Sequence, residues 1–441
     1  MVRTLRTLLD RVPPHLFVAA SAWGSRIISA VTGLFMVRVL TQSLGTEQYA
    51  AYAILGGMIG WFSLTDMGLG SSLQNFISER RGKGESYNEY VTTTALLGGV
   101  CLLFFVAALA LSSDELGTAV LRKFDFFSRD LKRKYFLVMG LLSIGSAIGG
   151  ISYRIWFAEQ KGYLANLTPA LASLVSFILV VGVSRTGKSH SLLWMLSAGL
   201  GTSAVLPMLI FIVQVVRKKA VAFALDWALI RPLFIRGMKF WLSGVLAACV
   251  LQIDYLVISQ YLAPKDIVVY NLSSKIFLLI FFVYTSLLGA LWPVFAEATA
   301  ANDWNGLLRH VRKTIAMGVV PVLVGTAIFA LFRDRIIALL SPKEVVEIPY
   351  DLLALFGFYY LLRVWSDVFG VVLKSMSYMR PFVIYIPFQA AINILVQVVI
   401  TREIGVRGVL VGLIASYLLT AVWIAPWFVF RRKRRMTAEV G

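Results

Sequence analysis

The chain has 441 residues, of which 59% are hydrophobic and only 15% charged, and its mean hydropathy is +0.78. A water-soluble fold must keep roughly half of its surface polar, and this composition lacks the residues to do so. A soluble enzyme, a disordered chain and a disulfide-stapled secreted domain are excluded. Cys101 and Cys249 lie far apart inside apolar blocks, so neither a disulfide framework nor a zinc site is expected. The 42 Lys and Arg against 23 Asp and Glu give a formal charge of +19. The basic residues cluster between apolar blocks, so the expected partner is an anionic membrane surface or lipid and not a nucleic acid.

Met1 to Val12 carries Arg3, Arg6 and Arg11 with no small-residue cleavage site after it, which reads as the lead-in to an uncleaved first span. A hydrocarbon core about 30 Å thick needs about 20 apolar residues per helix. Twelve such blocks follow, near residues 16–40, 49–72, 90–111, 135–157, 165–184, 191–216, 238–262, 267–293, 312–332, 350–373, 382–400 and 408–430. They are continuously apolar and do not alternate, so they are helices and not barrel strands. The expected fold class is an all-α polytopic membrane protein with about twelve transmembrane helices.

A weak repeat at an offset of 218 residues aligns Gln42 with Gln260, Leu44 with Leu262, Tyr52 with Tyr270 and Glu79 with Glu297. Six spans per half make the halves parallel, two lobes related by a pseudo-two-fold axis along the membrane normal. The expected domains are an N-terminal lobe (residues 1–216), a cytoplasmic linker (217–237) and a C-terminal lobe with a basic tail (238–441). Such a pairing leads one to expect a binding site between the halves near mid-membrane. With both termini cytoplasmic, Lys and Arg are denser in the inside segments, and the run Arg431, Arg432, Lys433, Arg434, Arg435 is the strongest anchor. The loop 112–134 is the exception, an outside segment with six basic residues partly offset by Asp114, Glu115, Asp125 and Asp130.

Gly182, Gly187, Lys188 and Ser189 fit the phosphate-loop pattern G-x-x-x-x-G-K-S. A phosphate loop follows a strand of a parallel sheet, whereas both flanks here are spans, so a plain loop is expected. There is no H-E-x-x-H, C-x-x-C or G-x-S-x-G, and His15, His190 and His310 are isolated near span ends. No catalytic residues, cofactor or metal site are expected.

The informative residues are ionisable groups inside spans. Each costs roughly 2.5–3.5 kcal/mol at mid-bilayer, so each is expected to face a wet cavity or a partner. The basic set is Arg26, Arg38, Arg154, Lys275 and Arg363; the acidic set is Asp66, Asp254 and Asp367. The excess of cations suits an anionic head group such as a diphosphate, which arginine grips in bidentate fashion. Arg26, Lys275, Arg154 and Arg363 are therefore candidates for head-group binding, and Asp66, Asp254 and Asp367 for proton or cation coupling. Competing readings stay open: Arg38 and Arg154 can snorkel to an interface, Arg363 and Asp367 can pair along one helix, and the aspartates can serve as counter-ions. Gln389, Asn393 and Gln397, four apart on one face, either line the cavity or bond a neighbouring helix.

The stretch from Arg38-Val39-Leu40 through Leu44-Gly45-Thr46-Glu47-Gln48-Tyr49, then Tyr52-Ala53, Trp61, Asp66-Met67-Gly68-Leu69-Gly70, Asn75 and Ile77-Ser78, resembles the opening signature of bacterial Wzx-type polysaccharide flippases. These belong to the multidrug/oligosaccharidyl-lipid/polysaccharide exporter superfamily. Leu291-Trp292-Pro293 with Glu297-Ala298 and Asn302-Asp303-Trp304 resembles the loop after the eighth span of that family. The resemblance implies a two-lobe, twelve-helix exporter in the bacterial inner membrane. It implies movement of an undecaprenyl-diphosphate-linked oligosaccharide to the outer leaflet through a cationic cavity, by alternating access coupled to protons or sodium. The implied partners are the lipid-linked oligosaccharide, the coupling ion, membrane lipids, a polysaccharide polymerase and a chain-length regulator. Arg26, Asp66 and Lys275 match the family's cavity positions; Asp254 and Asp367 match no coupling site. The alternatives are a flippase for peptidoglycan or teichoic-acid precursors, a multidrug or cation antiporter, and a membrane polysaccharide polymerase. The basic excess disfavours the antiporter, and the lack of any long extramembrane segment disfavours the polymerase.

Overall fold

The computed structural model describes residues 14–187, 191–217, 226–341, 346–376 and 378–438. Among them the regular structure is entirely helical, with no strand. A chain surrounded by lipid has no water to satisfy exposed N–H and C=O groups, and helices satisfy them internally. The protein is a multi-pass membrane protein.

The first helix, α1 (Pro14–Gly57), runs 44 residues and is broken at Gly45, whose φ of 72° and ψ of 173° are not helical. An unbroken helix of that length would be about 66 Å long, roughly twice the hydrocarbon thickness. The break therefore separates two spans, as the sequence blocks require. The second span is itself discontinuous. α2 (Ile59–Phe62) passes into a 3₁₀ turn (Ser63–Asp66), two left-handed residues follow (Met67 and Gly68), and α3 (Leu69–Gly82) resumes. The apolar block at 49–72 gave no sign of this interruption, because hydropathy does not register backbone dihedrals.

α4 (Asn88–Val120) and α5 (Arg129–Gly149) follow, with α6 (Ile151–Ala158) continuing α5 after a bend at Gly150. At 33 residues, α4 is about 50 Å long and overshoots the hydrocarbon. The segment 112–134, expected as a loop, is thus largely the projecting ends of α4 and α5. Its charges are paired: the Arg129 guanidinium grips the Asp114 carboxylate across the junction at 2.6 and 2.9 Å, and Lys134 pairs with Asp130 one turn away on α5 at 2.6 Å. α7 (Gly162–Ser184) packs on α1, and α8 (Leu192–Arg217) packs on α5 and α7. Gly182 of the phosphate-loop pattern lies inside α7, so a helix stands where that motif needs a strand; Lys188, Ser189 and His190 lie outside the described residues.

α9 (Trp227–Leu251) contains the second half of the expected 217–237 linker; residues 218–225 lie outside the described set. After α9 come α10 (Ile253–Tyr261), α11 (Pro264–Ala290), α12 (Trp292–Ala300), α13 (Trp304–Leu331) and α14 (Arg333–Leu340). The chain closes with α15 (Tyr350–Ser375), α16 (Arg380–Ile404), α17 (Val406–Leu419) and α18 (Ala421–Ala438). Ten helical segments among the described residues are long and apolar enough to cross a membrane. The first of them is the broken double span, and α11 adds a further 27-residue helix, which gives the twelve crossings expected. The chain divides into two compact units, Met1–Val245 and Leu246–Gly441, with the boundary inside α9.

The helix break in the first unit is specified by side chains. Asp66 accepts from the Gly68 amide through Oδ1 (2.9 Å) and from the Gly70 amide through Oδ2 (3.3 Å), satisfying donors that the restarting helix leaves without an i−4 carbonyl. Gly68 sits at φ +71°, and a Cβ there would lie 2.2 Å from the Gly237 carbonyl oxygen. Gly84 has the same handedness (φ +72°) but open space around it. The left-handed conformation alone costs an L-residue about 1–2 kcal/mol. Gly68→Ala is therefore expected to lower the thermal midpoint of the detergent-purified protein clearly more than Gly84→Ala, which isolates the clash from the shared dihedral cost.

Candidate functional site

Two polar assemblies lie among the apolar helices of the second unit. The first is a buried hydrogen-bonded network around Asp254, in which Gln397 Oε1 is left without a partner among the described residues. Asp254 on α10 accepts from the Tyr270 hydroxyl (2.5 Å) and from Gln397 Nε2 (2.7 Å). Gln397 Nε2 also donates to Asn393 Oδ1 (2.9 Å), and Asn393 Nδ2 donates to the Val250 carbonyl (3.0 Å). Asp254, Asn393 and Gln397 are all buried. Next to them Asn271 Nδ2 donates to the Tyr255 hydroxyl at 2.7 Å. Every partner of the Asp254 carboxylate is neutral; no Lys or Arg pairs with it among the described residues. The four-residue spacing on α16 explains the geometry: Asn393 and Gln397 share one helix face, and that face meets α10.

The second assembly is a cavity of about 350 Å³ lined by residues of α15, α16 and α17 and by Leu251 and Leu288. That volume falls in the lower range of small-ligand pockets. Arg363, Asp367 and Lys374 supply its charges, and Ser366, Tyr385, Gln389 and Tyr417 its neutral polar groups. Arg363 Nη2 reaches Asp367 Oδ2 at 3.3 Å, and its guanidinium lies over Phe281 (4.6 Å to the ring centre) and Tyr360 (5.9 Å). An arginine clamped by a carboxylate and two rings is held in one orientation at little further entropy cost. Arg363 Nε, the Ser366 hydroxyl and Gln389 Nε2 have no hydrogen-bond partner among the described residues. Three donors left without acceptors around one cavity match a ligand rich in acceptor oxygens.

Of the residues expected from sequence, Arg363, Asp367 and Gln389 come together here, while Asp254, Asn393 and Gln397 form the adjoining network. Gln389, Asn393 and Gln397 thus share a face but divide between cavity and helix contact. Lys275 on α11 is half-buried and has no hydrogen-bond or ion-pair partner among the described residues. Arg26 is exposed on α1, next to Ser25, whose hydroxyl donates to the Asn166 carbonyl. Arg154 is exposed on α6; its stem and Asp66 Oδ2 would lie 3.1 and 3.2 Å from a Cβ at Gly70, so both flank the helix break. Arg38 is half-buried near the Gly45 break. Sequence reading passed over Lys374, which lies at i+11 from Arg363 and i+7 from Asp367; helical spacing would have placed it on their face. No three His, Cys, Asp or Glu side chains among the described residues are arranged to hold a metal ion.

The fold is shared with solved transporters. A multidrug-resistance MATE family transporter of the MOP superfamily, solved in an inward-facing conformation, superimposes with a TM-score of 0.76 at 14% identity, covering 94% of this chain and 98% of that one. A MOP superfamily transporter from Pyrococcus furiosus superimposes with a TM-score of 0.65 at 15% identity, over 95% of each chain. Residues 241–399 match the MatE family. Residues 19–299 match the family described as polysaccharide biosynthesis protein, and the chain belongs to it, within the superfamily its opening motifs resemble. Over 423 residues it is 35% identical to a Yersinia pseudotuberculosis protein carrying the name "Putative O-antigen export protein", covering 96% of this chain and 97% of that one. It is 34% identical to a Salmonella typhi protein named "Putative O-antigen transporter", covering 98% and 100% of the two chains. This family membership makes the protein a polysaccharide flippase, a transporter and not an enzyme.

The buried network predicts a measurable cost. Gln397→Leu leaves the Asp254 carboxylate one donor short inside the bundle, a loss of about 1–3 kcal/mol. A lowered thermal midpoint in detergent is expected, larger than for a substitution of the lipid-exposed Leu395 on the same helix.

Proposed function

We propose that this flippase carries an undecaprenyl-diphosphate-linked oligosaccharide from the inner to the outer leaflet of the bacterial cytoplasmic membrane, supplying O-antigen synthesis. In this reading both termini lie in the cytoplasm, and a polymerase and chain-length regulator take over the delivered units. The observation that carries it is the cavity of the second unit, where two cations, one carboxylate and three unpartnered donors surround space for a small head group. A diphosphate presents the acceptor oxygens those donors lack, and sugar hydroxyls complement Tyr385 and Tyr417. The names of the Yersinia and Salmonella relatives support the same cargo class.

We assign Arg363 and Lys374 to the head group in this cavity, and Arg26 and Lys275 to contacts with it along the transport path. Asp254 and Asp367 are the coupling candidates. Asp254 is buried without a counter-cation, so a proton or sodium ion supplies the missing charge at lowest cost. Asp367 shares Arg363, so cargo and coupling ion compete for one guanidinium. We read Asp66, whose two oxygens accept from backbone amides, and its neighbour Arg154 as supporting the helix break.

The test is complementation of a deletion strain, read as surface polysaccharide with membrane protein levels as control. Arg363→Ala and Lys275→Ala are expected to abolish surface polymer and leave lipid-linked oligosaccharide accumulated, with the protein still in the membrane. Arg363→Lys is expected to restore little, because lysine keeps the charge but loses the fork and the ring stacking. Normal polymer from both alanine variants would sink the assignment. For coupling, uptake into everted vesicles under imposed proton or sodium gradients is expected to lose its gradient dependence in Asp254→Asn.

A further inference from the structure

The first unit holds a second polar cavity that none of these roles uses. Its volume is about 380 Å³, and it is lined by Arg81, Tyr87, Trp156, Glu159, Lys161, Gln214 and Arg217. These residues come from the end of α3, the start of α4, the α6–α7 junction and the end of α8. Those segments follow the second, fourth and sixth spans, so they share one end of the unit. The lining carries three cations against one carboxylate.

The carboxylate is already used in building the site. Glu159 accepts from the Tyr87 hydroxyl (2.9 Å) and pairs with Lys161 (3.0 Å), while Arg81 donates to the Ala158 carbonyl at 2.7 Å. Arg217 makes no hydrogen bond or ion pair with the described residues. Gln214 Nε2 donates to the Ser152 carbonyl at 3.3 Å, but its Oε1, fully shielded, accepts from no described residue. A ligand that completes this cavity therefore offers anionic oxygens to the cations and a hydroxyl or amine hydrogen to Gln214 Oε1. Exposed apolar side chains adjoin the lining residues in the chain: Phe157 follows Trp156, and Val213 and Val216 lie on either side of Gln214 on α8. Trp156 and Tyr87 are the amphipathic rings that favour a membrane–water boundary. Phosphate oxygens, a hydrogen-bond donor and an adjoining apolar tail together describe a lipid, and basic pockets between spans hold anionic lipid head groups.

We propose that this cavity is a binding site for the phosphate head group of a membrane lipid, with the tail lying along Phe157, Val213 and Val216. It shares no lining residue with the cargo cavity and does not depend on which polysaccharide is carried. Two lipids share the required chemistry, an anionic glycerophospholipid and a polyprenyl phosphate, and the test separates them.

Full-length protein is delipidated in detergent and titrated separately with phosphatidylglycerol, phosphatidylcholine, a polyprenyl monophosphate and inorganic phosphate, reading bound lipid by native mass spectrometry and the thermal midpoint. Phosphatidylglycerol or the polyprenyl phosphate is expected to bind and raise the midpoint, and phosphatidylcholine is not. Arg217→Ala, which removes no described contact, is expected to weaken that binding roughly tenfold, as loss of one charge-assisted contact would. Arg217→Lys is expected to restore most of it, and Leu395→Ala, a lipid-exposed change in the second unit, to leave it unchanged. Preference for one of the two anionic lipids identifies the occupant. Equal binding of phosphatidylcholine, response to inorganic phosphate but to neither lipid, or unchanged lipid affinity in both Arg217→Ala and Lys161→Ala would each overturn the proposal.

Discussion

The governing constraint is that lipid offers no hydrogen bonds. A polar atom placed within the spans is costly unless the chain, or what the chain carries, satisfies it. Most of the polar architecture is a consequence. Asp66 is spent on the two amides freed where the second span breaks, and Asp254 sits at the centre of a chain of neutral donors. Satisfaction is incomplete at scattered single atoms such as Thr94 Oγ1, Ser176 Oγ and Gln397 Oε1, whereas at Arg363, Ser366 and Gln389 three unpartnered donors gather around one cavity. In such a solvent an unfilled donor is costly, so its persistence beside empty space is a specific pointer to a polar ligand.

The two units use charge differently. In the second, the guanidinium of Arg363 is held by a carboxylate and two aromatic faces, an arrangement that fixes direction as well as sign. In the first, the cations gather at the ends of α3, α6 and α8, beside exposed apolar residues, where long side chains keep their heads wet while their stems pack. A preorganised pocket for a passing head group and a boundary pocket for a resident lipid are different solutions to the same excess of positive charge. The projecting ends of α4 and α5 are a third, with basic residues neutralised by Asp114 and Asp130.

The same residue types proved to have unlike roles. Three in-span aspartates looked equivalent as sequence, each an expensive charge in an apolar block. One caps a helix, one anchors a neutral network and one pairs with arginine. Likewise Gln389, Asn393 and Gln397 lie on one face, yet the first meets the cavity, the second bonds the Val250 carbonyl of α9 and the third bonds Asp254 of α10. Their shared face follows from helical period, but which neighbour lies opposite each turn depends on packing between helices far apart in the chain.

The sequence alone determined the membrane class, the helical fold, the twelve crossings and the family, because each rests on local quantities: the length of an apolar run, its lack of alternation, and short motifs. It also marked Arg363, Asp367 and Asp254, since a charge inside such a run stands out without any coordinates. Tertiary structure decided the rest. It broke the second span at Met67 and Gly68, put Lys374 in one cavity with Arg363, and assembled Arg81, Lys161 and Arg217 from two helix ends and a helix junction. Those outcomes depend on dihedrals and on contacts across many residues of chain, and neither leaves a periodic trace in the order of amino acids.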